Sequence, residues 1–281
     1  MIEYLIFALF AGLLFHGIHR KVIARVQGRP GPPIWQEILH TLKFSFKETW
    51  IPLTASRTLF VAVVLVAIGI WSASLFILLS GGSILLLFGV YLIHKIVEHG
   101  LGLSSGSPYG KFGAIRSVIS AASELPLLAT IGAIYFFTNS LMLSDIIAWQ
   151  QVNGPLLIIA FPAAVAMYLV ILSKLHYSPF AIIEAKEIVS GNMTEHFGAW
   201  RAGLEVAFAI KTYVLLYAFV LIFIGQLPFL VTLLVMLLIL VSLSFVCAVS
   251  PMLSPYDTVT VQSLVTGAVV VYIIVLGVIM G

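Results

Sequence analysis

The chain has 281 residues, of which 61% are hydrophobic and 9% charged, with a formal net charge of +3. A soluble domain carries roughly 25% charged residues, so the composition excludes one and points to a single integral membrane domain over 1–281. The single cysteine, Cys247, excludes an internal disulfide and any thiolate-held zinc, nickel or iron–sulfur site formed by this chain alone.

The first apolar run, 3–19, has no basic residue ahead of it, and Arg20 and Lys21 follow. A cleavable signal peptide has the reverse order, so a retained first helix with its N-terminus outside is expected. Next comes ARVQGRPGPPIWQEILHTLKFSFKE. Its Gly28–Pro33 stretch cannot be helical and predicts a rigid turn. Beyond it Ile34, Trp35, Ile38, Leu39, Leu42 and Phe46 fall on one helical face, with Glu37, His40, Lys43 and Lys47 opposite. That pattern predicts an amphipathic helix lying at the membrane interface, with a docking surface for a soluble partner as a compatible second use.

Seven further runs meet the length of about 20 apolar residues that a bilayer span needs. They are 58–79, 83–99, 112–138, 155–175, 201–224, 229–249 and 259–280. Turn residues separate them: SGGS at 80–83, NGP at 153–155, GQLP at 225–228 and SPY at 254–256. The expected fold is an all-α polytopic membrane protein of about eight spans.

Lys and Arg gather on one side, in or beside the loops at about 20–57, 100–111 and 176–200, with a shorter loop at 250–258. The positive-inside rule makes these loops cytoplasmic and puts both termini outside. All seven His (16, 19, 40, 94, 99, 176, 196) lie toward the same side. The basic excess is topogenic on this reading, and no nucleic-acid partner is expected. The outer loops read as minimal, so partners are expected at the cytoplasmic face.

Charges within the spans carry the functional signal. Glu124, in SELPLL, sits near the middle of its span, where a carboxylate costs a few kcal/mol and must face protein or water. Pro126 frees local backbone groups that can hold water. Arg116 lies eight residues before Glu124, on nearly the same helical face. Glu205 and Lys211 lie six apart, on different faces, so each needs another partner. The stretch SPFAIIEAKEIVSGNMTEHFG at 178–198 holds three of the eleven acidic residues, Glu184, Glu187 and Glu195, among apolar residues that argue for folding back on the bundle. Read as a short helix over 180–191, it places Glu184 and Glu187 on one stripe. With Glu205 and Glu124 these acids form a candidate proton or ion path, since neighbouring semi-buried acids alter one another's proton affinity. Arg116 and Lys211 are the candidate tuning charges.

Four motifs in order, ARVQGRPGPP, SPYGKFGAIRSVISAASELPL, SPFAIIEAKEIVSGNMTEHFG and SPYD, resemble the H-type membrane subunit of respiratory complex I. They are equally similar to its counterpart in energy-converting membrane-bound hydrogenase-type complexes. The resemblance implies a non-catalytic docking and coupling subunit of an oxidoreductase complex. It implies hydrophilic iron–sulfur and hydrogenase-like subunits at the cytoplasmic face and antiporter-like membrane subunits alongside. Iron–sulfur clusters and a nickel–iron site would belong to those partners, and this chain would bind no cofactor. Arg25, Gln27, Arg29 and Pro32 match the family's first-loop motif and, with Trp35, are the residues expected to receive the soluble arm. Glu124, Glu184, Glu187, Glu195 and Glu205 match family acids. Quinone-reducing members have an ETNRAPFD-like run where this chain reads KLHYSPFA, with Lys174, Tyr177 and Ala181 replacing Glu, Arg and Asp. That departure favours a hydrogenase-type complex over a quinone-site subunit.

Other classes fit less well. A stand-alone secondary transporter usually has inverted repeats, and the two halves show no such symmetry. A haem-bearing subunit would pair His16 or His19 with His94 or His99. A lipid-acting enzyme would need an acidic or nucleophilic cluster, yet Asp145 and Asp257 are the only Asp and SSGSP at 104–108 has no nucleophile-elbow context.

Overall fold

The computed structural model describes residues 2–184 and 191–280. Helix α1, Ile2–Val26, outruns the apolar segment by two turns and ends where Gly28 turns the chain at φ 74° and the Arg29 N–H donates to Ala24 O at 2.7 Å. Beyond the Pro–Gly turn, α2 covers Gln36–Ser45. Then α3, Arg57–Leu79, stops at Ser80–Gly81–Gly82, and α4, Ile84–Ser104, starts on Ser83, whose hydroxyl accepts from the Leu85 N–H. The fourth span is α5, Pro108–Ile119, a 3₁₀ turn at Ser120–Ser123, and α6, Glu124–Thr138. After it come α7, Leu143–Asn153, α8, Leu156–Ile159, and α9, Phe161–Lys174. A 3₁₀ turn at Ile182–Glu184 and the single-turn α10, Gly191–Thr194, precede α11, Ala199–Phe223, α12, Phe229–Val249, and α13, Pro255–Met280.

Among the described residues seven helical stretches are long and apolar enough to cross a membrane, and α9 is a shorter apolar helix. The expected polytopic all-α fold is therefore present, with four local differences. The 155–175 span is broken at Ala160, because Pro162 supplies no N–H to the preceding turn. The fourth span is not a continuous helix, so the eight-residue spacing of Arg116 and Glu124 no longer puts them on one face. The side opposite the basic loops, where minimal loops were expected, instead carries α7, and Gln150 there donates to Leu221 O at 3.0 Å from a buried position. Finally, Gly191, the last residue of the short helix expected over 180–191, instead opens α10.

Helix α11 is the central post, buried along 89% of its most apolar stretch, whereas α13 is buried along 11% and presents its side chains outward. Helix α1 approaches α11 closely because small residues meet there. A Cβ at Gly12 would overlap the carbonyl of Ala209, and one at Gly17 would overlap the carbonyl of Ile34. Gly12→Ala and Gly17→Ala are each expected to lose about 1–3 kcal/mol through overpacking, read as a lowered thermal midpoint in detergent. Gly132→Ala, at a helical glycine with open space around it, is the matched control and should not fall. Equal behaviour of all three would contradict the close packing.

Helix α2 is amphipathic as expected, with its apolar side turned away from the bundle. Trp35 is 56% exposed and Phe46 86%, while Glu37 and Thr41 face inward. Leu39 and Leu42 are also exposed. This suits a helix lying at a lipid interface.

Candidate functional site

One turn of α4 contributes His94, Lys95 and Glu98, at spacings that bring their side chains together. Lys95 Nζ lies 2.9 Å and Lys174 Nζ, from the end of α9, 3.5 Å from Glu98 Oε2. His94 Nε2 is 3.0 Å from Glu98 Oε1. The indole N–H of Trp71 donates to His94 Nδ1 at 3.3 Å. Indole is only a donor, so Nδ1 is the unprotonated nitrogen and the ring proton sits on Nε2, toward Glu98. Lys95 also donates to Ser120 Oγ at 2.5 Å and stands 3.9 Å from Glu124 Oε1. Every one of these ionisable side chains is at most a tenth exposed. Lys174 additionally lies over the Tyr91 ring, 4.9 Å from its centroid.

A second group surrounds a polar cavity of about 90 Å³ between α1, α2, the 175–177 segment and α11, lined by four His (16, 19, 40 and 176), Arg20, Glu37, Tyr177, Arg201 and Glu205. Arg20 pairs with Glu37, and Arg201 pairs with Glu205 at 2.7 Å. A smaller cavity of about 50 Å³ is lined by Glu98, Lys174, His176 and Lys211. His176 borders both cavities, so it connects the two charged groups.

Of the acids expected on the path, Glu124 and Glu205 are therefore brought into this interior system. Glu195 lies half-buried in the turn after α10. Glu187 lies outside the described residues, as does the side chain of Glu184. The tuning charges separate. Lys211 borders the smaller cavity with its Nζ 4.4 Å from the Phe208 ring centroid, whereas Arg116 Nη1 reaches Ile182 O at 3.5 Å. No Arg116–Glu124 ion pair occurs among the described residues. In the first loop Arg25 is exposed, Gln27 donates to Ala248 O at 3.2 Å and Arg29 donates to Gln27 Oε1. Pro32 and Arg29 border an open groove of about 400 Å³ that ends at Tyr177.

Glu98, Lys95 and the Arg20–Glu37 pair were not singled out from the sequence as site residues, and His94 was weighed only as a haem ligand. The signal was present for α4: a His at i, a Lys at i+1 and a Glu at i+4 within an apolar helix. The His pairs considered for haem are engaged elsewhere. His16 Nε2 is 2.7 Å from Thr212 Oγ1, His19 bonds to Ser244 and His176 O, and His99 bonds to Ala114 O.

The described ends of the 178–198 stretch fold back on the bundle as expected, with Phe180 and Ile182 buried and Phe197 stacked on Trp50. His196, 2% exposed, stacks on Phe60 with centroids 4.1 Å apart. Burial first, and the nearby Arg201 guanidinium second, push its imidazole down to about 4. The unfolded chain then takes up the extra proton between the two values, so this contribution is complete above about pH 6.5 and is lost as pH falls toward 4. His196→Phe is expected to remove about 2 kcal/mol of the stability lost between about pH 7 and pH 5. Thermal midpoints measured across that range check it; an unchanged slope would contradict it.

The family model described as NADH dehydrogenase matches residues 1–280. A Methanocaldococcus jannaschii protein named as an NADH-ubiquinone oxidoreductase is 47% identical over 268 residues, covering 94% of this chain and 91% of its own length. NADH-quinone oxidoreductase subunit 8 of Thermus thermophilus is 30% identical over 204 residues, covering 64% of this chain. The match covers 56% of that subunit, so the chain spans little more than half of it. Among solved structures, a chain of the membrane-bound sulfane sulfur reductase, an archaeal respiratory membrane complex, superposes with a TM-score of 0.85. It is 26% identical, and the match covers 97% of both chains.

Proposed function

Because the chain belongs to the NADH dehydrogenase family, with H-type subunits of respiratory membrane complexes among its homologues, we propose that it is the membrane docking and coupling subunit of a redox-driven ion pump. It seats a hydrophilic electron-transfer arm at the basic face and passes charge inward through buried ionisable groups. The observation that carries this reading is the interior line from Glu205 and the histidine-lined cavity, past His176, to Lys174, Glu98, Lys95 and Glu124. Buried charges at such density are costly and are retained where ions or protons move. The replacement of a family acid by the buried Lys174 supports a hydrogenase-type complex over a quinone-site subunit, and the likeness to a chain of a sulfane sulfur reductase fits a complex whose acceptor is not a quinone.

The arm would meet Arg25, Gln27, Arg29, Pro32 and the outward Trp35, with loops 100–111 and 176–200. The basic loops face the cytoplasm and both termini the outside of the cell membrane. Iron–sulfur clusters and a nickel–iron site would reside in the partners.

Purification from native membranes in mild detergent, with mass spectrometry of every co-purifying chain, tests the proposal. Hydrogenase-like and iron–sulfur subunits together with antiporter-like chains are expected. A flavin-and-quinone arm would restore the quinone reading, and a chain that purifies alone would overturn the docking role.

A further inference from the structure

Glu98 carries more cations than it can serve equally. Its Oε2 is shared by Lys95 at 2.9 Å and Lys174 at 3.5 Å, and its Oε1 faces His94. On the other side of Lys95, Glu124 is 7% exposed and neither of its carboxylate oxygens has a hydrogen-bond partner. An ionised carboxylate left so would be strongly unfavourable, and only a cation moved onto it would offset the cost. Lys95 is the cation within reach, 3.9 Å away, and a move of about 1 Å closes that gap to ordinary ion-pair distance.

The two lysines differ in freedom. Lys174 is 3% exposed, lies over the Tyr91 ring and ends α9. Lys95 hangs on its flexible four-carbon stem from α4, with Ser120 Oγ as a neutral acceptor beside Glu124. The Ser120–Ser123 3₁₀ turn is what presents that hydroxyl next to the first residue of α6.

We propose that Lys95 is the movable cation of this junction, passing between Glu98 and Glu124 while Lys174 stays behind to hold Glu98. With Glu124 protonated, both ammonium groups rest on Glu98. When Glu124 gives its proton to a water molecule, Lys95 turns to the new carboxylate and Lys174 alone balances Glu98. The two states differ by that one proton, and in the second each carboxylate has one lysine. Reprotonation of Glu124 from water returns Lys95 to Glu98. Lys95 is thus a positioning residue acting through Glu124, and the inference rests on the reading of Glu124 as a charge carrier.

The test uses the complete complex in sealed vesicles, energised by its own electron donor, with ions moved per electron transferred read from a pH-sensitive dye. Lys95→Met is expected to lower that ratio about tenfold, and Lys95→Arg, which keeps a cation, to recover most of it. A normal ratio for Lys95→Met, or a Lys95→Arg complex that recovers none of the loss, would overturn the inference while leaving the path intact. A normal ratio for Glu124→Gln would instead overturn the reading on which it rests. A purely structural role for Lys95 would lower complex yield in Lys95→Met without lowering the ratio in what assembles, and would also overturn it.

Discussion

Glu124→Gln is expected to abolish ion pumping while the complex still assembles. The amide has the shape of the acid but cannot exchange a proton. Nothing in the fold depends on the charge. Neither carboxylate oxygen accepts a hydrogen bond, and the Lys95 ammonium stands at 3.9 Å, with Ser120 and Glu98 closer to it. Replacing an ionisable side chain whose partners are already engaged should therefore cost little stability, in contrast to removing one member of a tight pair. Pro126, two residues on, supplies no N–H to the first turn of α6, and a backbone carbonyl freed in this way is a group that water can bond. Dye-reported acidification of energised vesicles measures pumping, and native electrophoresis measures assembly. Lost assembly, with normal pumping in whatever complex remains, would remove Glu124 from the path.

The spans could be read from the sequence because a bilayer imposes one strong rule, about 20 apolar residues per crossing, and the runs here are cleanly punctuated. The amphipathic character of α2 was equally legible, since Glu37 and His40 repeat against Leu39 and Leu42. What could not be read depended on contacts between distant segments. SAAS at 120–123 contains no breaker, yet it forms a 3₁₀ turn that uncouples Arg116 from Glu124. LSDIIAWQQVN mixes polar and apolar residues too evenly to be a span, and α7 becomes ordered by burying Leu143, Ile146 and Gln150. Lys95 and Glu98, three residues apart near a helix end, look like a surface ion pair in sequence. Their burial follows only once α9 brings Lys174 to the same carboxylate. Glu124 and Glu205 were found because they interrupt apolar runs, while Arg20 and Glu37 were not, because their pairing joins α1 to α2 across the Pro–Gly turn.

Glu98→Ala should cost about 3–5 kcal/mol, the penalty for breaking a buried ion pair by removing one partner. The carboxylate is the only acid within 3.5 Å of Lys95 and Lys174 among the described residues, and His94 also points its ring proton there. Without it the two ammonium groups would lose their shared counter-charge in an interior of low dielectric. The chain is expected to lose its complex in detergent and to unfold at a markedly lower temperature. Glu98→Gln isolates the charge from the shape, and it should sit close to the alanine variant if charge is the cause. A second change makes the argument decisive. Adding Lys174→Met to Glu98→Ala removes one of the stranded cations and fills its space with a side chain of similar length, so it should recover part of the loss. Combining the changes would instead add their costs if Lys174 and Glu98 acted independently. A Glu98→Ala chain as stable as the parent would mean that water or another anion already serves the lysines, and the junction would then owe its order to packing rather than to charge.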